Sequence, residues 1–121
     1  MAESIMDLMK PEFVSMDDGE SKIRFQVRPE FTIPTGVLQG GMVAVMLDMA
    51  MAMAGKGALS TASLQYEILR PVLDKQLTVQ GNIVRRGRRI IFAEAVMTND
   101  DGVVLAKGTQ TAVPVVPVVE V

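Results

Sequence analysis

Residues 36–55 read Gly-Val-Leu-Gln-Gly-Gly-Met-Val-Ala-Val-Met-Leu-Asp-Met-Ala-Met-Ala-Met-Ala-Gly, and from Met42 to Ala54 only Asp48 is not apolar. Ala, Met and Leu are strong helix formers and glycine is a poor one. The run therefore predicts a helix from about Gly41 to Ala54, stopped by Gly55. A helix apolar on every side has to be covered on every side. In a chain of 121 residues the cover has to be a curved sheet wrapped around it, with help from another subunit. A carboxylate inside such a helix is costly to bury, which makes Asp48 the most informative single residue.

Upstream of this run, 3–9 has the pattern of a short helix, with Ile5, Met6, Leu8 and Met9 apolar and Pro11 ending it, so 1–11 forms an N-terminal helical segment. Phe13–Met16 and Lys22–Val27 are expected to pair as a hairpin across the Asp17-Asp18-Gly19 turn. Downstream of Gly55 the period changes to two. Leu59–Leu69, Gln76–Arg85, Ile90–Met97 and Val103–Val113 read as strands, with turns at Arg86-Gly87-Arg88 and Asn99-Asp100-Asp101-Gly102. Gly81 inside the second of these predicts a bulge or sharp bend. The stretch 114–121 contains Pro114 and Pro117 and is an extended tail or edge strand. The order is hairpin, one long buried helix, then an antiparallel meander. This is an α+β fold in a single domain over 1–121, with about five or six strands curled round the helix.

Composition removes whole classes of function. There is no cysteine, so disulfides, thiolate nucleophiles and Cys-based metal sites are out, and no histidine, which excludes Ser-His or Asp-His catalysis and the commonest metal ligand. No metal site is expected. A net charge of −2 with one Tyr and no Trp argues against nucleic acid. The apolar run spans only about 20 Å as a helix, too short for a bilayer core of roughly 30 Å. With no signal-like pattern at the N-terminus, the expectation is a cytoplasmic protein that does not bind membranes.

Three constellations carry chemical potential. Gly40 and Gly41 stand at the helix entrance, where first-turn N–H groups are unpaired and the dipole is positive. They either make a tight turn against the sheet or let a ligand carbonyl approach a backbone oxyanion hole. Asp48 follows Gly40 by eight positions, about 12 Å along a helix, so one carbonyl cannot easily touch both in one chain. Two such helices packed antiparallel about a two-fold axis would bring one entrance to the other Asp48. There an Asp could attack a carbonyl or deprotonate water; otherwise it is a buried Asp tied to backbone N–H groups. Arg85, Arg86, Arg88 and Arg89 form a basic hairpin tip, with Arg70 elsewhere; this is either a phosphate site or a solvated turn. Met42, Met46, Met49 and Met53 recur at helical spacing, as core packing or as the wall of an acyl tunnel.

Gly36-x-x-Gln39-Gly40-Gly41 followed by Asp48 resembles the Asn-x-x-Gly-x-x-His-Gly-Gly…Asp signature of hot-dog fold thioesterases of the phenylacetate-pathway type. The strand 61–71 ending in Arg70-Pro71, the stretch 81–90 and the stretch 101–109 extend the similarity from about Phe13 to Val113. The resemblance implies a sheet wrapped round the central helix, dimerised and often tetrameric. It implies hydrolysis of an acyl-coenzyme A thioester to free acid and coenzyme A, with no metal or cofactor, coenzyme A being part of the substrate. Asp48 matches the catalytic nucleophile or general base. Gly40 matches the backbone N–H that polarises the carbonyl, and Thr61 a hydroxyl that orients water. Gln39 takes the place of the family His, and Gly41, Arg70, Arg85, Arg86 and Arg88 become expected coenzyme A contacts. Ile33, six residues before Gln39, replaces the family Asn. These two departures keep a second reading open, a catalytically weak or inactive acyl-coenzyme A binding homologue.

Overall fold

The computed structural model describes residues 4–115. The expected helix start at Glu3 and the tail beyond Val115 lie outside the described residues. The chain runs α1 (Ile5–Met9), β1 (Glu12–Asp17), β2 (Glu20–Gln26), a 3-10 turn at Pro29–Phe31, α2 (Gly40–Ala54), β3 (Leu59–Ile68), β4 (Gln76–Arg86), β5 (Ile91–Thr98) and β6 (Val104–Pro114). Six strands form one antiparallel sheet in the order β1-β2-β4-β5-β6-β3, curved around α2.

Helix α2 is held at both ends by the residues that flank it. The Gln39 side-chain oxygen accepts the Met42 N–H at 3.2 Å, and the Gly55 N–H closes the last turn onto Ala52 at 3.1 Å. Its core side is Val43, Met46, Leu47, Met49, Ala50, Met51 and Ala54, all buried. Each large side chain among these contributes about 1.5–3 kcal/mol of burial. The expected methionine stripe is therefore core: Met46 and Met49 are buried and Met42 and Met53 pack against the same cluster.

The sheet departs from the expected meander in one respect. β4, β5 and β6 are sequential neighbours, but β3 does not pair with β4; it runs on the far edge beside β6, and β4 adds to β2. Residues 69–75 between β3 and β4 contain Pro71 and no glycine, so they lack the chemistry of a tight hairpin. They cross the helix entrance instead, where the Leu38 N–H donates to Val72 O at 2.9 Å and Val72 is buried.

Gly81 is not a bulge. The register shift in β4 falls between Ile83 and Arg85. At Gly81 a Cβ would overlap the Ala50 carbonyl, so this glycine lets the helix backbone lie directly on the sheet. The Ser21 hydroxyl donates to that same carbonyl at 2.6 Å and fixes the contact.

Cover of the helix by its own chain is incomplete. Ala44, Val45, Asp48 and Ala52 lie on one stripe of α2 and stay half-buried, with exposed Gly41 continuing it. On β3 beside this stripe, Tyr66 and Ile68 sit in register with the helix-facing Gly108 and Ala106, yet are 39% and 41% exposed. No helix among the described residues is long and apolar enough to cross a membrane.

Candidate functional site

The first turn of α2 is bare by construction. Gln39 folds its side chain back over it, and a Cβ at Gly41 would come within 2.8 Å of the Gln39 Oε1. A side chain at Gly41 would push that flexible amide aside from the Met42 N–H it caps. Gly40 is different: a Cβ there would meet only Ile68 Cδ1 at 3.5 Å, an ordinary contact. Among the described residues neither the Gly40 nor the Gly41 N–H has a hydrogen-bond partner, as first-turn amides lack intrahelical acceptors. The departures Gln39 and Ile33 both serve the loop that leads in. Gln39 donates its main-chain N–H to Phe31 O at 2.9 Å. Ile33 closes a turn in which its N–H reaches Val37 O at 2.9 Å and its carbonyl receives the Gly36 N–H at 2.8 Å. That turn needs Gly36, whose φ is +87°.

Asp48 lies two turns further along, half-buried, against β3 and β6. Its Oδ1 accepts the Thr61 hydroxyl at 2.6 Å and the Gln110 Nε2 at 3.2 Å. Thr61 Oγ1 also lies 3.3 Å from Gln110 Oε1. A hydroxyl has one proton, and the shorter, charge-assisted bond to Asp48 takes it. The buried carboxylate tied to its own backbone, expected as the bland alternative, is not found; both donors are side chains.

Thr61 reaches Asp48 only because β3 is irregular. Leu64, Tyr66 and Ile68 face the helix, and strict alternation would put Ala62 on that side and Thr61 on the other. Between Thr61 and Ser63 the register shifts, so two residues of β3 oppose one of β6 and Thr61 pairs with buried Ala112. Sequence periodicity cannot show such a shift.

Gln110 is the residue that the sequence reading missed. It is 3% exposed on β6, on the same face as Ala106, Gly108 and Ala112. The signal was a long amide alternating with small apolar residues, a polar group on a core-facing side.

The other expected residues fall into separate places. Arg70 follows the end of β3, near the helix entrance, with its N–H on Leu105 O at 3.3 Å. The basic turn lies at the Asp48 end, since Arg86, Ile91, Ala112 and Thr61 form one row across β4, β5, β6 and β3. Arg86 in that turn donates to Asp18 at 3.0 Å, and Arg85 pairs with Phe92 on the convex face. Arg88 is exposed at the tip. One chain thus brings together Asp48, Thr61 and Gln110, and separately Gln39, Gly40 and Gly41. It does not bring the arginines onto either group. Two open grooves of about 370 and 360 Å³ lie around Gln65, Glu94 and Thr109; neither is lined by Asp48, Thr61 or the helix entrance, although Gln110 borders the second.

Comparison with known proteins places the chain in a family and a fold. A family model for the acyl-CoA thioesterase N-terminal domain matches residues 29–113. A protein of Saccharolobus solfataricus, provisionally named an esterase, is 25% identical over 114 residues, spanning 88% of this chain and 79% of that protein. The crystal structure of a provisionally named thioesterase, a phenylacetic acid degradation-related protein from Ralstonia eutropha, superposes with a TM-score of 0.83 at 26% identity, covering 90% of this chain and 88% of that one. A Streptococcus pneumoniae protein described as a hypothetical thioesterase, solved with coenzyme A, has a TM-score of 0.80 at 24% identity, covering 86% and 84% of the two chains; at that identity the likeness is one of fold. The fold is the hot-dog fold of these thioesterases, and the chain belongs to the acyl-CoA thioesterase N-terminal domain family.

Proposed function

We propose that the protein hydrolyses acyl-coenzyme A thioesters without a metal, at sites shared between two copies of the chain. The observation that carries this is the Asp48 carboxylate, held on a half-exposed helix face by two side-chain donors rather than neutralised by a cation. Family membership supplies the reaction class. In the proposed reaction Asp48 takes a proton from water as the water oxygen bonds to the thioester carbonyl carbon. The Gly40 N–H of a second copy carries the developing oxyanion. Collapse of the tetrahedral intermediate breaks the C–S bond, and the proton passes to the departing thiolate, giving acid and coenzyme A. Direct attack by Asp48 on the carbonyl, with later hydrolysis of the anhydride, uses the same geometry.

A two-chain site follows from reach. Gly40 and Asp48 are about 12 Å apart along one helix. The half-covered stripe of α2 and the exposed Tyr66 and Ile68 of the β3 edge form one apolar surface beside Asp48. A two-fold pairing through that surface sets two helices antiparallel and completes the cover that α2 lacks. Coenzyme A is bound by the pneumococcal protein of the same fold, which supports the carrier as the ligand here. Arg70, near the helix entrance, and the basic turn with Arg86 and Arg88 are the proposed phosphate contacts.

A second reading, an acyl-coenzyme A binding protein with little turnover, is favoured by one observation: the Gln39 side-chain oxygen Oε1 is committed to the Met42 N–H. A thiol-release assay on a panel of acyl-coenzyme A thioesters separates the two. Wild type is expected to release thiol, and Asp48→Asn to lose that release while keeping its oligomeric state and unfolding midpoint. Tight thioester binding without release in the wild type would favour the second reading. Equal turnover in the variant would remove Asp48 from the mechanism.

A further inference from the structure

Asp48 presents its two oxygens unequally. Oδ1 accepts both the Thr61 hydroxyl and the Gln110 amide. Oδ2 has no hydrogen-bond partner among the described residues, and it is absent from their buried unpartnered atoms, so it opens to solvent. Gln110 is buried at 3% exposure, far more deeply than a long amide needs to be for solubility. Its amide orientation is set by the carboxylate, because an oxygen turned toward Asp48 would place two acceptors face to face. The amide oxygen then lies 3.3 Å from Thr61 Oγ1, a contact with no proton of its own because the hydroxyl proton is on Asp48, so the two donors on Oδ1 are the bonds that hold the carboxylate.

We infer that Gln110 is a positioning residue: with Thr61 it holds Asp48 Oδ1 and leaves Oδ2 as the oxygen that meets water or the thioester carbon. This rests on the hydrolase reading above and deepens it. Two donors on one oxygen fix both the side-chain torsions of Asp48, which is otherwise a short, freely turning carboxylate on a half-exposed helix face. Thr61 alone cannot do this, since one hydroxyl on an edge strand leaves the carboxylate plane free to swing. The buried amide, anchored in the middle of β6, sets that plane. Gln110 touches neither water nor substrate and acts through Asp48.

The test compares wild type, Gln110→Met, Thr61→Val, the double variant and Asp48→Asn by steady-state thiol release, with thermal unfolding in parallel. Methionine keeps the bulk of Gln110 and deletes both polar atoms. The expected result is a kcat lower by about ten- to a hundred-fold with KM within about twofold, because a misaimed carboxylate costs rate rather than binding. The Thr61→Val and Gln110→Met losses are expected to be non-additive, since both act on one oxygen. Should the Met variant unfold, Gln110→Asn, one methylene too short to reach, carries the same expectation. An unchanged kcat in folded Gln110 variants beside a dead Asp48→Asn overturns the role of Gln110 and leaves the hydrolase reading standing. Absence of thiol release from every form sinks the hydrolase reading instead. The Gln110 bond is then read from the side-chain amide protons by NMR. One is expected to be shifted and slow to exchange in wild type and to lose both properties in Asp48→Ala, which deletes the acceptor; resonances unmoved between the two overturn the inference.

Discussion

Gly40 holds the sharpest test available at a single position. It is the first helical residue after the Gln39 cap, and Gln39 has φ −63° and ψ 136°. That extended conformation is what a residue before proline adopts, and the first helical position is where proline is tolerated. A side chain there meets only Ile68 at ordinary contact distance. Gly40→Pro therefore deletes the N–H proposed as oxyanion donor while leaving the helix start intact. We expect kcat to fall by about 10²–10³-fold, the usual loss for one such donor, with stability changed by less than about 1 kcal/mol by urea unfolding. Full turnover in the folded variant would transfer the oxyanion role to another donor. At this same scale the sequence announced Asp48 because a carboxylate in an apolar helix needs a reason. Gln110 stands in the same sequence as a polar residue among Ala106, Gly108 and Ala112, a pattern that points to Asp48 only through the pairing of β6 with β3.

Elements were legible where one period dominates, and less so where packing between distant segments decides. The helix was expected from Gly41 and begins one residue earlier, at Gly40. The strand bounds follow the alternation of Ile23 and Phe25 in β2, or of Ile91, Ala93, Ala95 and Met97 in β5. Placement of β3 on the far edge was not legible, because non-local pairing is chosen by how the sheet covers α2 and not by any local signal. The same holds for the shift at Thr61–Ser63 that turns Thr61 toward Asp48, and for Gly81. There a glycine read as a bend is the point where the helix backbone lies on β4. Because a Cβ at 81 would collide with the rigid Ala50 carbonyl, Gly81→Ala is expected to destabilise by about 1–3 kcal/mol in urea unfolding, the range for overpacking a core. A loss under about 0.5 kcal/mol would mean that helix and sheet separate easily.

For the molecule as a whole, one chain leaves its central helix incompletely covered, with Ile68 41% exposed beside the half-buried Asp48 stripe. On the proposed two-chain site, Ile68→Lys is expected to give monomers by light scattering and to abolish thiol release together with the pairing. A fully active monomer would contradict the shared site. The most direct test mixes two dead parents, Asp48→Asn and Gly40→Pro, by joint refolding in equal amounts. In a mixed dimer one site receives Asp48 from one chain and the Gly40 N–H from the other, so random pairing predicts recovery of about a quarter of wild-type activity. Mixed dimers that form, as seen by mass, and yet stay inactive would contradict the account.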